Sequence, residues 1–340
     1  MNILIRTDGS RELGNGHIVR MLALADQLLS HGIPFIFALK FDDFWVNRIR
    51  EKKYKIVQLS AGSDHVAEFI GTLKEHKITH LVYDTRGDLS KDEMLVIKNE
   101  AKLKVIVIDS PEDTRLAADT VIFPPIPQLK EWSWDGFSGK VYSGWEYVFL
   151  RKEFSVKSNV SSSVETKKIL LSFGSTDPFY LTEKMLTLVV SNPEIFNSYE
   201  FILLVGPQFN RLPSIKESAD YKNLRISVVQ APEDIVFLFR SVDFAFIAFG
   251  VTAYELSALS VPFLCISPTP DHERSARIFE KNSLCVSLGL INNFAENFQR
   301  KMSLFFEDST SIKKSIQEFR SRSTICDWPK IIEAIIKQYA

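Results

Sequence analysis

Short apolar runs recur along the first half of the chain, at Ile3-Leu4-Ile5, Pro34-Phe35-Ile36-Phe37-Ala38, Ile56-Val57, His80-Leu81-Val82-Tyr83 and Lys104-Val105-Ile106-Val107-Ile108. Segments of helical period fill the gaps. The clearest runs from His17 to His31, with Ile18, Met21, Leu22, Ala25, Leu28 and Leu29 at helical spacing and Gly32 closing the helix. Such alternation predicts βαβ units on a parallel sheet.

The serine-rich stretch Lys157-Ser158-Asn159-Val160-Ser161-Ser162-Ser163 is polar and without period, and reads as a linker. A second series of runs follows it, at Lys168-Ile169-Leu170-Leu171-Ser172, Phe201 to Val205, Leu224 to Val228, Phe244 to Ala248 and Pro262 to Ile266. The pattern therefore predicts two α/β domains, residues 1–157 and 165–340, the second ending in an amphipathic helix over Trp328 to Tyr339. Between Val121 and Gly144 three prolines and two tryptophans fall without clear period, which predicts an irregular excursion. Ligands of open α/β sheets bind beyond the carboxyl ends of the strands, so the expected site is a cleft between the halves.

Length agrees with two domains, since 340 residues exceed one typical domain of roughly 150. No apolar run approaches the ~20 residues that cross a bilayer, and no basic segment followed by an apolar one marks a secretory signal. The expectation is a soluble, cytoplasmic monomer without a membrane span. A net charge of -1 argues against a sequence-independent grip on nucleic acid, which relies on clustered Lys and Arg. Cys265, Cys285 and Cys326 form no CxxC pair and no metal spacing with the histidines, so neither a metal nor a cofactor is expected.

Three strand-to-helix turns carry residues suited to chemistry. In the first, Gly14 and Gly16 allow close backbone approach, and His17 stands at a helix start where it is placed to accept a proton. A histidine that only caps or packs is the alternative. GxGH lacks the P-loop lysine and the third glycine of a dinucleotide fingerprint. In the second, Gly174, Ser175 and Thr176 offer N–H and hydroxyl donors of the kind that hold a phosphate, or form an ordinary turn capped by Asp177. In the third, Gly250, Val251 and Thr252 open a helix whose free N–H groups suit a pyrophosphate. Glu255, one turn on, is placed for ribose hydroxyls or is simply a solvated carboxylate. Asp84 and Asp109 follow strands of the first half, where either orients His17, touches a sugar or caps a helix. His272, between Asp271 and Glu273, lacks the spaced partners of a metal site.

Four ordered motifs carry a resemblance over most of the chain. They are Arg6 to Arg20 with its GxGHxxR core, Gly144-Trp145-Glu146-Tyr147-Val148-Phe149-Leu150-Arg151-Lys152-Glu153-Phe154, Ser172 to Pro178, and Gly250-Val251-Thr252-Ala253-Tyr254-Glu255. By these the chain resembles the UDP-sugar hydrolases of the pseudaminic acid pathway and the related spore-coat polysaccharide proteins. More distantly it resembles GT-B glycosyltransferases such as the peptidoglycan N-acetylglucosaminyltransferase. The resemblance implies a GT-B fold, two Rossmann-like domains facing across a cleft. It implies His17 as general base for water attack on a UDP-sugar without a metal, Glu255 on the ribose, and Val251 and Thr252 facing the diphosphate. Gly174 and Ser175 line the same pocket, and the loop from Gln230 to Asp234 lies near uracil. Gly14, Gly16, Arg20, Asp84 and Arg86 belong to the substrate-binding set of the first domain. Three departures bear on the sugar: Asp84-Thr85-Arg86-Gly87 stands for Asp-His-Tyr-Gly, Val251 for a serine, and Asp271-His272-Glu273 for the usual Asn-Gln pair. A glycosyltransferase of the same fold and a non-catalytic nucleotide-sugar binder are the alternative functions.

Overall fold

The apolar runs of the first half are the strands of one sheet in a computed structural model of the chain, which describes residues 1–9, 15–40, 43–59, 65–155, 167–207, 209–217, 221, 223–232 and 234–336. They are β1 (Ile3–Thr7), β2 (Phe35–Lys40), β3 (Ile56–Leu59), β4 (His80–Asp84) and β5 (Lys104–Ile108), followed by β6 (Thr120–Phe123) and β7 (Lys140–Ser143). Helices α1 (Gly16–Ser30), α2 (Asp43–Glu51), α3 (His65–Glu75) and α4 (Lys91–Ala101) connect the first five. Among the described residues the order across the sheet is β3-β2-β1-β4-β5-β6-β7, with parallel pairing throughout. Strands β1 and β4 are buried along their whole length, as central strands covered on both faces are.

This order reverses between β1 and β4. The chain builds outward from β1 to β3, then restarts at β4 and builds the other way, so the loops after β1 and β4 part and leave a crevice at the carboxyl ends. Thr7 and Asp84, the last residues of these strands, are paired in register. The second half repeats the plan with β8 (Lys168–Ser172), β9 (Glu200–Val205), β10 (Ile226–Gln230), β11 (Phe244–Ala248), β12 (Phe263–Ser267) and β13 (Val286–Leu290). Its order is β10-β9-β8-β11-β12-β13, with the reversal between β8 and β11. Its helices are α5 (Leu181–Val190), α6 (Pro193–Phe196), α7 (Leu212–Glu217), α8 (Ile235–Arg240), α9 (Val251–Leu259), α10 (Pro270–Lys281), α11 (Phe294–Glu307) and α12 (Ser309–Arg322). None of the described helices is long and apolar enough to cross a membrane.

Two expectations need correction. The segment from 121 to 144 is not wholly irregular, because it contains most of β6 and all of β7. β7 is an edge strand with largely exposed residues, so its sequence has no apolar alternation to betray it. The connection between these strands is anchored by Arg115, which precedes β6 and lies over the rings of Trp132 and Trp134 at 5.1 and 5.3 Å.

The other correction concerns the domain boundary. The chain divides into unit 1, residues 1–151 with 325–340, and unit 2, residues 152–324. The last helix, α13 (Trp328–Ile336), thus belongs with the first half rather than the second. Trp328 Nε1 donates to the Leu150 carbonyl at 3.0 Å, and the Asp327 N–H donates to the Glu146 carbonyl at 2.8 Å. The Trp328 ring meets Phe149 edge-on at 5.7 Å. The serine-rich stretch from 157 to 163 lies outside the described residues.

Candidate functional site

In unit 1 the crevice between β1 and β4 collects the charged residues. Gly16 opens α1 and His17 follows it, while Gly14 lies outside the described residues. The helix start is held from α2, where Trp45 Nε1 donates to Asn15 Oδ1 at 3.1 Å. Trp45 comes this close because Gly9 has no side chain. A Cβ there would stand 2.6 Å from Trp45 Nε1.

His17 Nδ1 lies 2.6 Å from Asp84 Oδ1. Arg20, one turn along α1, grips the same carboxylate with both ends of its fork, Nε to Oδ2 at 2.6 Å and Nη2 to Oδ1 at 2.5 Å. Its Nη1 reaches Asp109 Oδ2 at 2.7 Å. Burial of Asp84 works against its charge, but Arg20 and then His17 outweigh it and hold the carboxyl well below the usual carboxylate range. An ionised carboxylate only accepts, so in the short contact with Asp84 the proton sits on Nδ1, and Arg20 Nη2, which lies 3.0 Å from that nitrogen, is spent on Asp84 Oδ1 instead. In the neutral ring Nε2 is then the acceptor. The side chain of His17 is 14% exposed, whereas that of Asp84 is 0% exposed, so solvent reaches the ring and not its anchor.

Arg86 joins this group through Asp109, whose carbonyl accepts from Arg86 Nη2. Asp109 has a φ of +47°, a left-handed conformation that a residue with a side chain rarely adopts. The two arginines fix it, one on the carboxylate and one on the carbonyl. Arg86 Nη1 is buried without a hydrogen-bond partner among the described residues.

A neighbouring network went unread in the sequence. Arg6 on β1, 0% exposed, donates from Nε to Asp88 at 2.8 Å and from Nη2 to Asp8 at 2.5 Å, and Lys40 pairs with Asp88. The signal for it was a single arginine inside an otherwise apolar strand, a position that requires buried partners.

In unit 2 the equivalent reversal brings the other motifs together. Ser172 of β8 pairs in register with Ile247 of β11, so the turn carrying Gly174 and Ser175 and the start of α9 leave adjacent strand ends. Gly250 precedes α9, no side chain caps the helix, and its first turn carries no acid. The N–H groups around Val251 and Thr252 therefore present the positive end of the helix dipole. Glu255 is buried within α9, not solvated. Asp177 caps α5 as the alternative had it, since its carboxylate accepts from the N–H groups of Leu181 and Thr182 at 2.9 and 2.8 Å. His272 contacts Thr269 Oγ1 at 2.8 Å, at the start of α10. The predicted residues thus form two groups. His17, Arg20, Asp84 and Arg86 are drawn together in unit 1, and the turns at 174–175 and 250–252 are drawn together in unit 2.

No protein-family model matches the chain. It is 28% identical over 277 residues to an uncharacterized protein of Methanocaldococcus jannaschii, covering 78% of this chain and 55% of that protein. It is 23% identical over 294 residues to the spore coat polysaccharide biosynthesis protein SpsG of Bacillus subtilis, covering 85% and 84%. It is 29% identical over 157 residues to the UDP-2,4-diacetamido-2,4,6-trideoxy-beta-L-altropyranose hydrolase of Campylobacter jejuni, covering 45% and 53%. The matches thus span little more than half the length of two of these relatives. Among solved structures, MurG of Acinetobacter baumannii has a TM-score of 0.67 at 13% identity over 99% of both chains. The rhamnosyltransferase SpnG has a TM-score of 0.68 at 12% identity, covering 98% of this chain and 99% of its own. HepE of Anabaena in complex with UDP has a TM-score of 0.65 at 13% identity, covering 98% and 97%. With two doubly wound sheets in tandem and these matches along nearly its whole length, the chain has the GT-B fold of glycosyltransferases such as MurG and SpnG.

Proposed function

We propose that this chain is a nucleotide-sugar hydrolase that releases UDP and a free amino or deoxy sugar, in nonulosonic acid or surface polysaccharide synthesis. The observation that carries the reading is the contact of His17 Nδ1 with the buried Asp84 carboxylate, which leaves Nε2 as the proton acceptor. A water gives its proton to Nε2 while its oxygen bonds to the anomeric carbon from the face opposite the diphosphate. The bond from that carbon to the diphosphate oxygen breaks, UDP leaves with the electron pair, and the sugar is inverted. Asp84 stabilises the imidazolium that forms. Arg20 holds Asp84 and His17 in place, and Arg86 stands beside the sugar.

Unit 2 supplies the other half of the reading. Charge develops on the diphosphate as the bond breaks, and the uncapped start of α9 with the turn at Gly174 and Ser175 stabilises it. Glu255 accepts from the ribose hydroxyls, and Gln230 to Pro232 with Asp234, residue 233 lying outside the described residues, lie near uracil. The name of the Campylobacter relative supports hydrolysis of a UDP-sugar, and that of the Bacillus relative supports polysaccharide synthesis.

The second reading is a glycosyltransferase in which His17 takes its proton from an acceptor hydroxyl. It is favoured by the solved structures, among them HepE in complex with UDP-glucose. Incubation with UDP-sugars and no acceptor separates the two. Free sugar and UDP appearing together support hydrolysis, and UDP release that waits for an added acceptor supports transfer.

A further inference from the structure

Arg211 holds the turn that follows β8 at several points. Its Nη2 donates to the Asp177 carbonyl at 2.9 Å and to Asp177 Oδ2 at 3.0 Å, its Nη1 to the Thr176 carbonyl at 3.4 Å, and its Nε to Glu183 of α5 at 2.5 Å. The guanidinium also lies over the rings of Tyr180 and Phe209, 4.4 and 4.6 Å from their centroids.

The turn requires holding. Gly174, Asp177 and Tyr180 have φ values of +94°, +45° and +57°. For the two residues with side chains that conformation is strained and persists only where the surroundings over-determine it. A second anchor acts on the same turn. The Gly206 N–H donates to the Ser175 carbonyl at 2.9 Å, and a Cβ on Gly206 would stand 2.4 Å from Ser175 Cβ. The Gln230 side-chain amide then donates to the Gly206 carbonyl at 3.0 Å. The turn is thus tied to the carboxyl ends of β9 and β10. A connection that merely had to reach α5 would relax. Left-handed residues that interrupt a turn line up successive N–H groups on one concavity, and such a concavity takes an anion.

We propose that Arg211 is a positioning residue for nucleotide binding, holding the 174–180 turn in the shape that takes the diphosphate. This rests on the reading of unit 2 as the UDP-binding half. Arg211 is spent on carbonyls, carboxylates and rings, so it acts by ordering the turn before the ligand arrives, which lowers the ordering cost of binding. Its planar fork and its stacking, rather than its charge, are what lysine lacks.

Calorimetric titration of UDP and of uridine into the wild type, Arg211→Lys and Arg211→Ala tests this. Both variants are expected to bind UDP about 10-fold more weakly and uridine as the wild type does. Wild-type UDP affinity in Arg211→Lys would reduce the residue to a charge and overturn the proposal. Equal losses for UDP and uridine would mark a general loosening of the unit and overturn it too. Gly206→Ala disturbs the turn from its other anchor, so it serves if the arginine variants do not fold. The same selective loss is expected there, and unchanged UDP affinity would count against the proposal. Wild-type protein that binds no UDP removes the function proposed for unit 2 and this inference with it, whereas normal wild-type binding with unaltered variants removes the inference alone.

Discussion

The base proposed at His17 needs its Nε2 lone pair free, and the Asp84 carboxylate, 2.6 Å from Nδ1, stands where it holds the proton on the other nitrogen. His17→Ala is therefore expected to lower the rate of UDP release by ~10²–10⁴-fold while leaving UDP affinity intact, measured by product formation and calorimetry on the same samples. Asp84→Asn tests the anchor. An amide can turn its NH₂ toward Nδ1 and favour the other tautomer, so turnover should fall nearly as far. The same change leaves Arg20 buried with Asp109 as its remaining carboxylate, so urea denaturation should show a loss of ~3 kcal/mol. Asp84 was legible in the sequence because it ends an apolar run, and His17 because it stands at the helix start after another, both at the carboxyl end of a parallel sheet. The bridge of Arg20 to Asp109, 89 residues away, was not. Neither was the left-handed backbone of Asp109, because nothing local requires it.

Among the elements, the central strands announce themselves, since burial on both faces leaves mostly apolar residues between the turns, Arg6 of β1 being an exception with partners in Asp8 and Asp88. β7 lacks that constraint at the sheet edge. β13 carries Ser287 and Gly289, and its pairing with β12 is irregular, so it had no clear period to read. The positive start of α9 was legible for the opposite reason: glycine followed by a helix without an acid in its first turn leaves that end uncompensated. What the sequence left open was whether Glu255 faces water. Glu255 is buried, and under the proposed ribose role Glu255→Ala is expected to weaken UDP binding roughly 10-fold, in line with a hydrogen bond to a charged group. Unchanged affinity in a variant with an intact helix, checked by circular dichroism, would remove the ribose role.

For the molecule as a whole, two features set stability. One is His80, buried at the start of β4. Burial, with the N-terminal and Lys104 charges, pushes its pKa down from 6.5 to about 4, against a smaller opposite pull from Asp119. The unfolded chain therefore binds the extra proton between these values, and the stability this group supports above pH 6.5 is lost as pH falls toward 4. From pH 7 to pH 5 the loss is ~2 kcal/mol. Denaturant titrations at both values should show it, and His80→Gln should flatten the difference. The other feature is the return of the chain to unit 1. Trp328→Ala is expected to cost ~3–5 kcal/mol, and hydrogen exchange should find protection falling in β1 and β4 while β8 and β11 keep theirs. This return also sets an order of events at the ribosome. Synthesis proceeds from the N-terminus, yet unit 1 lacks its final helix until residue 336 has emerged, by which time every residue of unit 2 is already out. The half made second is the first that can be finished, and the half made first waits, one helix short, for α13.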